Sequence, residues 1–260
     1  MQMRADLKQQ EQGNRAMIPK IIHYCWFGGN PLPRSAQKCI DSWRKFFPGY
    51  EIKRWDESNY DVNVIPYTRD AYSAKKYAFV SDYARFDVLY REGGVYFDTD
   101  VEVIRSMDDI VEAGAFMGFE TVKPGAHVMV APGLGLGTEP GNPLYAGILE
   151  HYRSSLFLLK DSESNPVTVV THATQILNEY GLKDDDKSIQ TIRGIKIYPP
   201  EYFCPISTID GKLYLTDNTR SIHHYAQTWQ SPVRKYGRRI LLKLGGPKLI
   251  NVLKPFLLTK

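Results

Sequence analysis

The chain has 260 residues, which is enough for one large α/β domain or two small ones. Its composition, 43% apolar and 24% charged, favours a globular core. Three cysteines without Cys-x-x-Cys spacing indicate neither a zinc site nor a disulfide framework and fit a reducing compartment. No apolar run reaches the roughly 20 residues that span a bilayer, and the N-terminus lacks a signal-peptide pattern, so we expect a cytoplasmic protein.

The net charge of +4 is unevenly distributed along the chain. Residues 231–260 hold eight cations and no acid, so the rest of the chain carries −4. The overall charge is therefore a poor argument for nucleic-acid binding, and no recognition fold accompanies it. We predict a disordered leader over 1–16, a catalytic α/β domain over 17–230 and a basic, amphipathic, helical tail over 231–260.

The first elements predict a strand, helix, strand opening of the kind that nucleotide-binding α/β folds use. An apolar β-rich run lies within 18–29, a helical period covers 34–47, and a second strand covers 50–55. Trp26, at the end of the first strand, is either a core aromatic residue or a platform for a base. His23 lies in mid-strand, and we interpret it as a hydrogen-bonded core histidine.

A helical segment from about 78 to 91 carries the pattern Ser-Asp-x-x-Arg and is broken by Gly93-Gly94. Asp82 and Arg85 lie three residues apart in it. They would form an ordinary ion pair, or else Arg85 would bind phosphate or sugar oxygens while Asp82 accepts hydrogen bonds from hydroxyls.

Two carboxylates, Asp98 and Asp100, follow the glycines at the end of an apolar run. On an extended strand, residues i and i+2 share a face, so both side chains would project together. Oxygen ligands of this kind suit Mg²⁺ or Mn²⁺. The alternative is two solvated carboxylates at a strand end.

Several later segments have simpler interpretations. The glycine-rich segment 133–137 fits no phosphate-loop or dinucleotide pattern, and we expect close backbone packing near the substrate. Helices are predicted at about 142–159 and 165–180, and strands at 116–120, 195–198 and 202–206. The acidic run 183–186 is interpreted as a solvated turn.

The block Ser-Asp-x-x-Arg followed by Gly-Gly-x-Tyr-x-Asp-x-Asp resembles the sugar-nucleotide site of the Asp-x-Asp glycosyltransferases. This family includes yeast mannosyltransferases, bacterial capsular polysaccharide sugar transferases and the clostridial glucosylating toxins. The segment 221–229 resembles the family's C-terminal signature, in which a metal-binding side chain precedes a tryptophan by five residues. His224 has that spacing to Trp229, and His223 is then expected on the opposite face. The family's serine two residues before the tryptophan is Gln227 here.

The resemblance implies a GT-A-type nucleotide-sugar-binding fold, with a central mixed sheet flanked by helices. It also implies Mn²⁺, or Mg²⁺, as the cofactor. The implied catalytic residues are Asp98, Asp100 and Arg85; the donor contacts are Trp26, Asp82, Arg85, Tyr96, Asp98, Asn165 and Trp229; and the metal ligands are Asp100, His224 and Asp98.

The predicted activity is metal-dependent, retaining transfer of a hexose or N-acetylhexosamine from a nucleotide sugar to a saccharide acceptor in surface or capsular polysaccharide synthesis. Trp26 and the toxin likeness favour a UDP-linked donor, whereas the mannosyltransferases of the family use GDP-mannose. The alternatives are a metal-dependent phosphohydrolase, which would usually carry its aspartates after the first strand, and a non-catalytic sugar-nucleotide-binding protein. The basic tail suggests a peripheral enzyme on an anionic inner membrane face, acting on a lipid-linked acceptor.

Overall fold

A computed structural model describes residues 17–123, 125–157 and 167–226 of the chain. The chain divides into two units, Met1–His224 and Tyr225–Lys260, and every element below belongs to the first unit. The leader at 1–16 and the tail at 231–260 lie outside the described residues, so their assignments remain predictions. Within the described ranges no helix is long and apolar enough to cross a membrane.

Short strands, many of them fully buried, make up the sheets. The strands are β1 Ile21–Cys25, β2 Glu51–Trp55, β3 Gly94–Tyr96, β4 Val101–Val103, β5 Phe116–Glu120, β6 Met129–Val130, β7 Leu136–Thr138, β8 Gln190–Ile192, β9 Ile195–Tyr198 and β10 Ser221–His223. The predicted strands at 50–55, 116–120 and 195–198 are confirmed.

Helices connect most of the strands and vary in length. The helices are α1 Arg34–Phe46, α2 Pro66–Ser73, α3 Tyr77–Glu92, α4 Asp108–Glu112, α5 Pro143–Ser154, α6 Val169–Glu179 and α7 Pro200–Phe203. The strand predicted over 202–206 is wrong, because prolines at 199 and 200 begin a short helix there instead. Helix α2 lies in a region that the sequence pattern left unassigned.

The main sheet is mixed and runs in the order β2-β1-β3-β7-β5-β9-β8, with β6 paired to β5. Strands β1, β2 and β3 are parallel to one another, and β7 is antiparallel to both β3 and β5. Strand β5 therefore has the same direction as β3. A separate two-stranded sheet pairs β4 with β10. The prediction of an α/β fold with a central mixed sheet flanked by helices is confirmed.

Helix α3 lies at the centre of the first unit. It packs against α2 and α5 and against strands β1 and β3. Its aromatic residues Tyr83 and Phe86 are almost inaccessible to solvent. Two charged residues of the same helix, Asp82 and Arg85, are also buried, with exposed fractions of 8% and 3%. Ionised side chains are rarely buried unless they are paired, so this helix places a specific charge arrangement inside the fold.

Candidate active site

The candidate site lies at the edge of the main sheet where the parallel strands β1 and β3 end. Trp26 follows β1 directly, and Asp98 comes two residues after β3. Ligands of open α/β sheets bind beyond the carboxyl ends of such strands. The topology therefore brings Trp26 and Asp98 to the same edge of the sheet, although they are about seventy residues apart in the chain.

Asp98 and Asp100 lie in a turn between β3 and β4, not on a strand. The Val101 N–H donates to the Asp98 carbonyl over 3.0 Å, which closes the turn. Strand β3 is only three residues long and ends at Tyr96, so the alternation of side chains on a strand does not apply here. The two carboxylates nevertheless converge within this turn, with one oxygen of each less than 4.8 Å from the other.

His223 completes this group. Its Nε2 lies 3.2 Å from Asp100 Oδ1. One ligand atom from each of Asp98, Asp100 and His223 lies within 4.8 Å of the others, a spacing that a single divalent ion could bridge. Burial alone would lower the pKa of His223, but the hydrogen bond and charge of Asp100, with the charge of Asp98, raise it above its usual value.

His224, the residue predicted to ligate the metal, instead pairs with Glu102, 2.8 Å from its Oε2. The reason is the register of the small sheet, in which His223 lies opposite Val101 and Ile222 lies opposite Glu102. This pairing turns the imidazole of His223 toward Asp100. The expected orientations of the two histidines are therefore reversed.

The buried ion pair Asp82–Arg85 adjoins the carboxylate cluster. Arg85 Nη2 lies 2.8 Å from Asp82 Oδ1 and 3.3 Å from Asp98 Oδ1, so a single guanidinium group contacts two carboxylates. Burial raises the pKa of Asp82 to about 7, although Arg85 opposes this shift. Burial would lower the pKa of Arg85, but the charges of Asp98 and Asp82 raise it, so the guanidinium remains protonated.

Tyr96 joins the pair to the cluster. Its hydroxyl donates a hydrogen bond of 3.0 Å to Asp98 Oδ1, and the Arg85 guanidinium lies over its ring at 5.0 Å from the centroid. A cation stacked on an aromatic face, next to a carboxylate that accepts from the same ring's hydroxyl, has few alternative positions. The tyrosine of the Gly-Gly-x-Tyr motif therefore restricts the orientation of both charged groups.

Gly133 begins the glycine-rich segment that the sequence predicts to pack near the substrate, and it lies directly against the site. Its carbonyl accepts a 3.3 Å hydrogen bond from the Asp98 N–H. A Cβ atom at this position would overlap the Asp98 carboxylate and would meet Arg85 Nη1 at 3.4 Å. The close backbone packing expected for the segment 133–137 thus occurs against the carboxylate itself.

His23, within β1, and Trp26, directly after β1, have different roles. His23 Nε2 donates to the Gly93 carbonyl over 2.8 Å, and its Nδ1 accepts from Trp55 Nε1 over 3.0 Å. Burial lowers its pKa to about 4, so it is neutral, with its proton on Nε2. The interpretation of His23 as a core histidine is confirmed. Trp26 is partly exposed, and its Nε1 donates to the Asn30 carbonyl over 2.6 Å, which leaves the ring at the sheet edge.

The remaining predicted residues, Asn165 and Trp229, lie outside the described residues, so their contacts with a donor remain predictions. Gln227, which stands in place of the family's serine, also lies outside them.

Comparisons with known proteins match the part of the chain that carries this site. Residues 33–117 match the family described as "Glycosyltransferase sugar-binding region containing DXD motif". A relative, an uncharacterised glycosyltransferase of Acanthamoeba polyphaga mimivirus, is 25% identical over 210 residues, which cover 75% of this chain and 80% of that protein.

Another relative is inositol phosphoceramide mannosyltransferase 3 of Schizosaccharomyces pombe, 36% identical over 110 residues. That match covers 39% of this chain and 30% of the yeast protein, so the chain spans under a third of its length. Among solved structures, the chain is similar to one titled "PaToxG Glycosyltransferase", with 18% identity, a TM-score of 0.42 and coverage of 68% of this chain and 82% of that one.

The sugar-binding region and the relatives define an enzyme of the glycosyltransferase class, as the sequence predicts. In this chain, the DXD motif of the matching region is the pair Asp98 and Asp100.

Proposed function

We propose that the protein is a metal-dependent, retaining glycosyltransferase that moves a hexose from a nucleotide sugar to a saccharide acceptor. One observation carries this proposal. The partly buried metal-ligand group Asp98, Asp100 and His223 adjoins the buried ion pair Asp82–Arg85 at a single sheet edge. The first group suits the diphosphate of a nucleotide sugar, and the second suits its sugar.

The metal ligands that we propose are Asp98, Asp100 and His223. Two carboxylates and an imidazole suit Mn²⁺ better than Mg²⁺, which prefers oxygen ligands alone. When bound, the ion would neutralise the negative charge that develops on the leaving diphosphate. His223 replaces His224 in this proposal, because His223 is the histidine that contacts Asp100.

Arg85 would hold the donor through its second guanidinium nitrogen. Arg85 Nη1 is buried and has no hydrogen-bond partner within the described part of the chain. A buried N–H without a partner is costly, and an oxygen of the donor would satisfy it. Asp82 would accept hydrogen bonds from sugar hydroxyls, and Tyr96 would keep Asp98 in place. In this proposal the buried Asp82–Arg85 pair orients the sugar of the donor.

The donor nucleotide that we propose is UDP, with Trp26 stacking on the base and with Asn165 and Trp229 as further contacts. The names of relatives such as inositol phosphoceramide mannosyltransferase 3 favour mannose as the sugar, which makes GDP-mannose the alternative donor. A thermal-shift screen of UDP- and GDP-sugars distinguishes the two. A shift with GDP-sugars alone would overturn the proposed nucleotide and preserve the reaction class.

Retention of configuration would follow from attack by the acceptor hydroxyl on the same face as the leaving diphosphate, whose oxygen would take the proton. We propose a saccharide acceptor carried on a lipid, in surface or capsular polysaccharide synthesis, with the enzyme peripheral at the cytoplasmic membrane face. The inositol phosphoceramide mannosyltransferase name of a relative and the basic segment 231–260 support a lipid-borne acceptor.

Release of nucleoside diphosphate from the donor tests the proposal. Activity should disappear in EDTA, return with Mn²⁺ and return less with Mg²⁺, while Asp100→Asn should reduce turnover by roughly 10²- to 10³-fold. Asp41→Asn, on the exposed side of α1, is the matched control and should be neutral. Full activity in chelator would contradict the metal roles. Release of inorganic phosphate from simple phosphomonoesters would instead favour the phosphohydrolase alternative.

A further inference from the structure

Strand β4, which follows the turn Asp98–Asp100, bonds to β10 along one of its two edges. Within the described residues the small sheet consists of these two strands. The His224 N–H donates to the Asp100 carbonyl over 3.0 Å, and bonded positions alternate along an antiparallel pair. Val101 and Val103 therefore direct their backbone N–H and C=O groups away from β10. Both valines are buried, so these groups need partners inside the protein.

Helix α1 supplies such partners from two consecutive side chains. Trp43 Nε1 donates to the Val101 carbonyl over 2.8 Å, and Ser42 Oγ accepts from the Val103 N–H over 2.9 Å. Trp43 is fully buried, with an exposed fraction of 0%, so bulk water does not compete for the Val101 carbonyl. The helix thus bonds to the outer edge of β4, where a third strand would otherwise lie.

The same tryptophan packs against the residue that precedes the turn. The rings of Trp43 and Phe97 have centroids 5.5 Å apart, and Phe97 is fully buried. Phe97 comes directly before Asp98, and Val101 comes directly after Asp100. Trp43 therefore contacts the chain on both sides of the turn, through its ring on one side and through its N–H on the other.

We propose that Trp43 and Ser42 are positioning residues, which fix the turn Asp98–Asp100 where its carboxylates can bind a divalent ion together with His223. The turn itself has no repeating backbone pattern that would set the directions of its side chains, so its two ends must be fixed by their surroundings. Loss of the indole N–H would leave a buried carbonyl without this partner, and the turn would shift to relieve that cost. This inference rests on the proposed metal site.

Trp55, at the end of β2, is the matched control for Trp43. It is also buried, and its Nε1 also donates one buried hydrogen bond, over 3.0 Å to His23 Nδ1. Its ring packs on His23 and Tyr60, within the main sheet and the core beside it. A Trp→Phe substitution removes the same atoms and one buried hydrogen bond at either position, but only at Trp43 does the bond reach β4.

Ser155 is the corresponding control for Ser42. Both side chains are half-buried, and Ser155 Oγ bonds to backbone as well, donating to the His151 carbonyl over 2.8 Å. Ser42→Ala and Ser155→Ala each remove one oxygen atom and leave the helix core intact. This pair keeps the test decisive even if Trp43→Phe does not fold.

The experiment measures the Mn²⁺ dissociation constant of the four variants in the full chain by electron paramagnetic resonance, at a temperature below every melting point. We expect Trp43→Phe to weaken Mn²⁺ binding by about 10- to 100-fold, the range seen when outer partners of a metal site are removed. Ser42→Ala should weaken it by roughly fivefold, the size of one net hydrogen bond. Trp55→Phe and Ser155→Ala should bind Mn²⁺ as the wild type does. Unchanged affinity in both α1 variants, or equal losses in the variants and their controls, would overturn the proposal.

Crystal structures of Trp43→Phe and Trp55→Phe without donor separate this inference from the proposed function. A turn Asp98–Asp100 displaced relative to His223 in the first variant, and unmoved in the second, would support the positioning role even if no nucleotide sugar were cleaved. A turn that stays in place in Trp43→Phe would overturn the role even in an active transferase.

Discussion

The two halves of the candidate site are built in opposite ways. Asp82 and Arg85 lie three residues apart on one buried helix, and the Arg85 side chain is 4% exposed. Asp98, Asp100 and His223 come from a turn and from a strand more than 120 residues later, and the Asp98 side chain is 30% exposed. The helical half is preorganised by its own burial, whereas the cluster depends on long-range pairing of β4 with β10. Variants in the two halves should therefore fail in different ways.

The largest effect is expected for Arg85→Met, because it leaves the Asp82 carboxylate buried without its partner. Removing one member of a buried ion pair typically costs about 3–5 kcal/mol of stability, and donor binding should be lost as well. Urea unfolding measures the first effect and calorimetry the second.

The double variant Asp82→Asn with Arg85→Met is the control for that prediction. It should recover most of the stability, because neither charge remains, but it should not recover donor binding. If Arg85→Met alone unfolds at the wild-type urea concentration, the buried pair does not have the structural role described here.

His223→Ala and His224→Ala distinguish the histidine of the cluster from its neighbour in the chain. His223→Ala should weaken Mn²⁺ binding by at least about 100-fold, since even outer partners of a metal site contribute 10- to 100-fold. His224→Ala should have little effect, because His224 contacts Glu102. Titration of Mn²⁺ followed by electron paramagnetic resonance measures both. The opposite ranking would restore the histidine that the sequence motif favoured.

Gly133→Ala tests whether the carboxylate of Asp98 needs its close backbone neighbour. The new Cβ would displace this carboxylate, and a misplacement of about 1 Å can reduce turnover by roughly 10²-fold. Gly147→Ala is the matched control, since Gly147 lies within α5 with open space around it, and it should stabilise the protein by ~0.5–1 kcal/mol. Equal turnover in the two variants would mean that Asp98 tolerates the shift.

The smallest effect on the chemistry is expected from truncation after Gln230. Binding to anionic vesicles should weaken strongly, since each nearby cation contributes about 1 kcal/mol, while donor cleavage in solution should not change. Replacement of Arg234, Lys235, Arg238 and Arg239 by glutamine retains the apolar residues and is the control for charge. Binding that is equal on neutral vesicles, or that survives truncation, would return the tail to a structural role.

Much of the fold follows from local sequence pattern. The helical periods over 34–47 and 78–91, and the buried strands beside them, follow from apolar spacing and from the glycines that end them, such as Gly93 with φ of 66°. Asp82 and Arg85 were identifiable because i and i+3 are neighbours on any helix, whatever surrounds it.

Three features of the site were not determined by the sequence alone, because each depends on contacts between distant segments. The choice between His223 and His224 depends on strand register, and a shift of one residue reverses which side chain faces the site. The convergence of Asp98 and Asp100 comes from a turn, not from strand alternation. The burial of Asp82 depends on helices α2, α3 and α5, which pack against one another. Local periodicity determines secondary structure, but burial and register are properties of the packed chain.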